Sequence, residues 1–213
     1  MKKNGLILLS TALMLFFSCS KDDNNPPQDN QADSVLFSNL HAPQITDYTQ
    51  NPPLASGPFV KFDFSSGDIT NSDSDWDIAF RGTTILVNGG TATGIEEAPE
   101  RNGIAGAYLV NGLFSEINDI NAQGFIQDGP NGLAIPTGSG NGWYTYDSSL
   151  AAIYPIPGKV LVLKTADGKY AKMEILSYYK DAPEIITQDI ALEDLRYYTF
   201  IYVYLDDANA TSF

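Results

Sequence analysis

The sequence predicts an all-β protein, a single domain of mostly antiparallel sheets. Three observations carry that prediction. Short runs of alternating or continuous apolar residues recur along the chain, each bounded by Gly, Asn, Asp or Pro, as strands and their turns require. Two of these runs flank Ala166-Asp167-Gly168-Lys169, whose Asp-Gly step suits the positive backbone angles of a hairpin turn. Helical periodicity is weak throughout, and no repeat of fixed period is present.

Taken in chain order, Phe59 to Phe64 sets Val60, Phe62 and Phe64 inward and Lys61 and Asp63 toward water, because successive strand side chains point to opposite faces. Trp76, Ile78 and Phe80 repeat the alternation, with Asp77 and Arg81 on the other side. Ile85 to Val87 and Ile104 to Val110 read as further strands, and Leu113 to Asn121 is the best helical stretch, although short. Val160 to Lys164 and Tyr170 to Tyr178 are the arms of the hairpin. In the second arm Met173 alternates with Ala171 and Ile175 against Lys172 and Glu174, which predicts a core position for it. Gln188 to Leu195 reads as one or two helical turns. Tyr197 to Leu205 is apolar or aromatic on both faces, as a central strand covered from both sides should be.

The N-terminus predicts where the protein works. Lys2 and Lys3 precede an almost wholly apolar stretch from Gly5 to Phe17, the length of a signal-peptide core and too short to span a membrane as a helix. Ser18 and then Cys19, the sole cysteine, follow it, which is the pattern that lipid transfer to a bacterial lipoprotein requires. Phe16 stands three before the cysteine, where Leu is usual. Residues 1–18 are therefore expected to be a lipoprotein signal peptide and Cys19 the lipidation site. Residues 19–33, polar with paired prolines, should be a flexible tether, and residues 34–213 the β domain. Without Lys2 and Lys3, 10 basic residues remain of 12 against 26 acidic ones, so the processed chain carries about −16. That balance excludes nucleic acid and polybasic membrane docking as partners, both of which need excess Lys and Arg. With its only cysteine used for lipid, the chain has neither a disulfide framework nor a cysteine-ligated metal available.

Enzyme signatures are missing. The chain has no Gly-x-Ser-x-Gly elbow, no phosphate-binding glycine loop and no His-Glu-x-x-His. Glu96, Glu97, Glu100 and Glu116 could supply a pair of glycosidase carboxylates, but read more simply as a solvated acidic face. Asp68, Asp73, Asp75 and Asp77 suggest calcium, yet Ile78 stands where a calcium loop needs its turn glycine, and a turn feeding a strand is the simpler reading. The expectation is a binding protein rather than an enzyme.

Asp75-Trp76-Asp77-Ile78-Ala79-Phe80-Arg81, followed by Ile85-Leu86-Val87-Asn88-Gly89-Gly90, resembles the HmuY-like family of Bacteroidota outer-membrane lipoproteins. A second block matches in the right order: Gly142-Trp143-Tyr144-Thr145-Tyr146, Val160 to Leu163, Ala166 to Met173, and Tyr178-Tyr179-Lys180-Asp181-Ala182. Lys21-Asp22-Asp23 also resembles the lysine-plus-acidic signal that sends such lipoproteins to the outer face of the outer membrane. The resemblance implies a haemophore-related, HmuY-like all-β fold. It further implies haem as the ligand, iron acquisition as the purpose and a TonB-dependent outer-membrane receptor as partner.

The same resemblance implies axial iron ligation by two histidines on two loops, or by methionines in some relatives. This chain departs from that pattern. Its one histidine, His41, lies far from both loops, Met173 reads as core, and Asp147 falls at or near the position of the second ligand. The region between Ile117 and Trp143, which would carry the first ligand, is much shorter. A tyrosinate is then the expected iron ligand, since phenolate oxygen is an axial donor to ferric haem. Tyr144, Tyr146 and Tyr154 lie nearest the matched loop, and Trp143 could stack on the ring. The bland alternative is that these aromatics pack a sheet. The expected function is thus a surface-anchored lipoprotein that binds haem or a related tetrapyrrole for uptake through an outer-membrane transporter. The alternative is an HmuY-like β scaffold without haem ligation that binds a glycan, another small ligand or a protein partner.

Overall fold

Two antiparallel sheets packed face to face organise the chain. In the computed structural model residues 33–213 are described, and they fall within the unit Gln31–Phe213. The segments predicted as signal peptide and tether, with Cys19, lie outside the described residues as far as residue 32. The strands are β1 (Val35–His41), β2 (Ile45–Asp47), β3 (Leu54–Ser56), β4 (Val60–Asp63), β5 (Asp68–Thr70), β6 (Ile78–Arg81), β7 (Thr84–Val87) and β8 (Gly106–Asn111). After them come β9 (Tyr144–Asp147), β10 (Ala152–Pro155), β11 (Lys159–Lys164), β12 (Tyr170–Tyr179) and β13 (Leu195–Leu205). One sheet runs β1-β13-β12-β11-β8 and the other β5-β4-β6-β7, while β9-β10 and β2-β3 are separate hairpins.

Aromatic side chains fill the space between the sheets. Phe62 of β4 meets Phe200 of β13 edge to face at 5.3 Å, Phe80 of β6 lies 4.8 Å from Tyr198, and Phe64 lies 5.3 Å from Tyr202. Edge-to-face and tilted pairs at these spacings suit the ring quadrupole, and each fully buried Phe contributes about 1.5–3 kcal/mol of apolar transfer. Met173 joins this core and is fully buried, as its alternation predicts. The far face of the five-stranded sheet is covered too: Val160, Val162, Tyr170 and Val203 pack with Phe213 beneath Phe114, Ile117, Ile120 and Phe125. This second layer explains why β13 is apolar on both faces.

The structure adds strands that the sequence reading did not predict, β1, β2, β3, β5 and the β9–β10 hairpin, and departs from that reading elsewhere as well. The β11–β12 connection is a hairpin, but only Gly168 of the Asp-Gly pair has positive φ, at 93°. Thr165 N–H donates to Lys169 O and Gly168 N–H to Thr165 O, so the loop is a three-residue type I turn closed by a glycine bulge. Leu113 to Asn121 forms only a 3₁₀ turn, Phe114–Glu116. The helix α1 (Gln188–Glu193) does form, with Thr187 Oγ1 accepting the Ile190 N–H as its N-cap. Trp76 leaves the alternation of Ile78 and Phe80 and packs instead with Phe59, Ala79 and Leu86. Arg81 lies on the face of Ala79, which is not open because Ile95, Ala98 and Leu133 roof it, and Asp77 is buried as well, its carboxylate held by the N–H groups of Phe64 and Ala166.

Candidate functional site

The residues that carry the family resemblance build a joint between the two sheets. Asp77 sits at the entry to β6, and its two carboxylate oxygens accept backbone N–H groups from different sheets: Phe64, at the end of β4, at 2.9 Å, and Ala166, in the β11–β12 turn, at 2.7 Å. Burial of this carboxylate pushes its pKa up from 3.8 to about 6, against the pull of those two hydrogen bonds. Asn88, at the end of β7, is fully buried with its amide saturated. Its Nδ2 donates to the carbonyls of Trp76 and Ser74 and to Asn102 Oδ1, and its Oδ1 accepts the N–H groups of Asn102 and Gly103. Gly89 and Gly90 follow because the chain passes so close to Ala105 and Asp128 that a Cβ at either would run into a backbone carbonyl. These residue types are therefore explained by architecture, without a ligand.

Beside this joint lies a cavity of about 500 Å³ lined by Asp63, Asp75, Trp76, Asp77, Asn102 and Asp167. Its carboxylates are held locally: Asp63 accepts from Ser65 and Ser66, Asp75 from Ser72 and Ser74, and Asp167 from Thr165 Oγ1. Among the described residues no group of three or more His, Cys, Asp or Glu is arranged to hold a metal ion. Glu96, Glu97, Glu100 and Glu116 all stand exposed. His41 is exposed as well and stacks on Tyr197 at 4.3 Å.

The four aromatic residues singled out for a ligand part company. Trp143 is buried, its indole N–H donating to Thr83 O at 3.1 Å and its ring packed against Tyr144, Tyr178 and Tyr198. No face of it is free to stack on a ligand, because the core has taken both. Tyr144 is buried beside it. In the β9–β10 hairpin Tyr146 pairs with Ile153 and Tyr154 with Thr145, and directly paired residues share a face, so Tyr146 and Tyr154 point to opposite sides. Tyr154 is half-buried against the core, whereas Tyr146 is 50% exposed. The Tyr146 N–H donates to Ser139 Oγ at 2.9 Å, which ties the preceding loop to the hairpin. Asp147, at the turn, accepts the N–H and hydroxyl of Ser149 and is held below the usual carboxylate range by those bonds. The hairpin thus presents one phenol to solvent above an aromatic floor.

Sequence reasoning missed two buried arginines. Arg101 pairs with Asp128 at 3.1 Å, and Arg81 lies under the roof over β6. The signal for Arg81 was a lone charge inside an apolar run, and only the covering loops decide whether such a residue meets water.

A family model described as HmuY protein matches residues 57–189. No curated protein matches the chain. Among solved structures, a candidate lipoprotein from Bacteroides fragilis NCTC 9343 is 16% identical with TM-score 0.47, over 84% of this chain and 92% of that one. An apo HmuY analog from Tannerella forsythia is 13% identical with TM-score 0.40, over 83% and 96%. A candidate HmuY-like haem-binding protein from Bacteroides vulgatus ATCC 8482 is 12% identical with TM-score 0.38, over 83% and 93%. The matched span covers more than half of the chain and contains the Asp77–Asn88 joint, the β9–β10 hairpin and the β11–β12 hairpin, and the chain belongs to the HmuY family.

Proposed function

We propose that this chain is a lipoprotein, acylated at Cys19 and held on the outer membrane facing the cell exterior, that captures haem or a related tetrapyrrole and passes it to a TonB-dependent receptor. Residues 1–18 serve as its signal peptide, 19–33 as its tether and 34–213 as the binding domain. Family membership supports the ligand class, and one observation carries the site: Tyr146 stands half in solvent on the β9–β10 hairpin, the single tyrosine of the three candidates neither buried nor packed on the core. A phenolate oxygen there would serve as the iron ligand, with the buried Trp143 and Tyr144 acting as the floor that fixes the hairpin. Tyr154, on the opposite face, supports the hairpin from below. The protein binds and delivers; it does not catalyse.

A haemin titration of the purified protein tests this reading. The expected result is a saturable one-to-one Soret shift with a high-spin ferric spectrum, lost in Tyr146→Phe. A flat titration at micromolar protein overturns it. The second reading, a scaffold without haem ligation that binds a glycan, another small ligand or a protein partner, draws support from Trp143 and Tyr144 being spent in the core and Asp147 in a turn.

A further inference from the structure

Two arginines are buried in this fold, and only one has a carboxylate. Arg101 lies 3.1 Å from Asp128, which also accepts the N–H groups of Val87 and Ala134. Arg81, at the end of β6, is 3% exposed. Its Nη1 donates to Gly57 O at 2.9 Å and Glu96 O at 2.7 Å, and its guanidinium lies 4.3 Å from the centre of the Phe59 ring. Its Nε is buried without an acceptor among the described residues. Arg101 shares an orphaned Nε but has its counter-charge.

Glu96 and Glu97 reach Arg81 only from a distance. Glu97 Oε1 is taken by the Gly57 N–H at 2.7 Å, both glutamates are exposed, and among the described residues neither forms an ion pair with Arg81. Burial outweighs them and pulls the guanidinium's pKa below its ordinary value. A buried charge without a counter-charge is costly, and an anion arriving from outside would offset that cost.

Arg81 lines a cleft of about 650 Å³, within the range of small-ligand sites. Leu54, Ile95 and Leu133 give it apolar walls, and Thr84, Thr93 and Thr137 supply hydroxyls. It shares no lining residue with the β9–β10 hairpin. We propose that this cleft binds a small hydroxylated carboxylate, the chemistry of an acidic sugar, with the carboxylate on Arg81, hydroxyls on the threonines and the ring against Leu54, Ile95 and Leu133. Guanidinium is matched to carboxylate by geometry as well as charge. The site stands independently of the tyrosine rim, so haemin titration and this test fail separately.

Because Arg81 also ties two carbonyls, the test varies the ligand rather than the arginine. The purified protein is titrated with D-glucuronate and with its methyl ester, read by calorimetry and amide NMR shifts. Glucuronate should saturate with shifts at Gly57, Thr84, Gly94 and Leu133, and the ester should bind at least about tenfold more weakly. Glu96→Gln, which removes an exposed negative charge near the cleft, should tighten glucuronate up to about twofold and leave the ester unchanged. Failure of glucuronate to saturate by about 10 mM, or equal binding of acid and ester, overturns the proposal.

Discussion

The joint around Asp77 and Asn88 and the β9–β10 hairpin both lie within the span that matches the family, and they are built in opposite ways. At the joint Asp77 and Asn88 are buried and hydrogen-bonded: five hydrogen bonds converge on the Asn88 amide, and Asp77 ties two sheets. At the hairpin the strands are four residues long, and Tyr146 is half in solvent. The first region can vary little without loss of the fold, because each buried polar group left unpaired costs about 1–3 kcal/mol. The second can exchange exposed residues at little cost. A fold built this way can keep its joint while the exposed residues of its hairpins change.

The contrast can be broken by substitution. Asn88→Ala should have the largest effect: it orphans several buried groups at once and is expected to destabilise by about 3–5 kcal/mol, read as a lowered urea midpoint. Gly89→Ala comes next, at about 2–3 kcal/mol, because its Cβ meets the backbone of Ala105 rather than a movable side chain. Retention of wild-type stability by either variant would remove the joint from the account.

Asp77→Asn sharpens the comparison through pH. The folded-state pKa of Asp77 is raised to about 6 from 3.8, so the stability this group contributes is fully present below 3.8 and lost as pH rises through 6. Wild type should therefore lose up to about 3 kcal/mol from this group across that window. The Asn variant gives up one backbone hydrogen bond, worth about 1–3 kcal/mol, but sheds the penalty of the buried charge, so the two terms nearly offset at neutral pH. The difference between the two proteins, measured at pH 5 and pH 7.5, should shrink as pH rises. The smallest effect belongs to the hairpin: Tyr146→Phe should leave stability within about 0.5 kcal/mol while removing the haemin spectrum. A large loss of stability there would make Tyr146 a structural residue and end its role as the exposed ligand.

Several strands were legible, but β1, whose Phe37 and Leu40 pack on the core, and the β9–β10 hairpin were not. Alternation in β4 and β12 and the two-sided apolar run of β13 follow from period-two geometry, which is local, and they hold in the structure. The β11–β12 hairpin was legible for the same reason, although the turn's type depended on Thr165 and Lys169 pairing beyond the Asp-Gly step. Residues 1–33 speak through composition alone.

What the sequence could not supply is the identity of the covering layer. Arg81 alternates like a solvent-facing residue, and only the loop carrying Ile95 and Ala98, together with Leu133, turns its face into an interior, while Asp77 is enclosed by the β11–β12 hairpin of the other sheet. Trp143 and Tyr146 sit three apart in one aromatic stretch, yet one fills the core and the other stands in water. The physical reason is the same in each case. Local periodicity determines which side chains share a face, whereas burial, hydrogen-bond partners and unpaired charge depend on segments far along the chain, such as Ala166, 89 positions beyond Asp77, whose amide Asp77 accepts. The sequence by itself determined the β11–β12 hairpin, the periodicity of β4, β12 and β13, and the family, and it predicts the lipid anchor. Tertiary packing alone decided which tyrosine is exposed and which arginine lacks its anion.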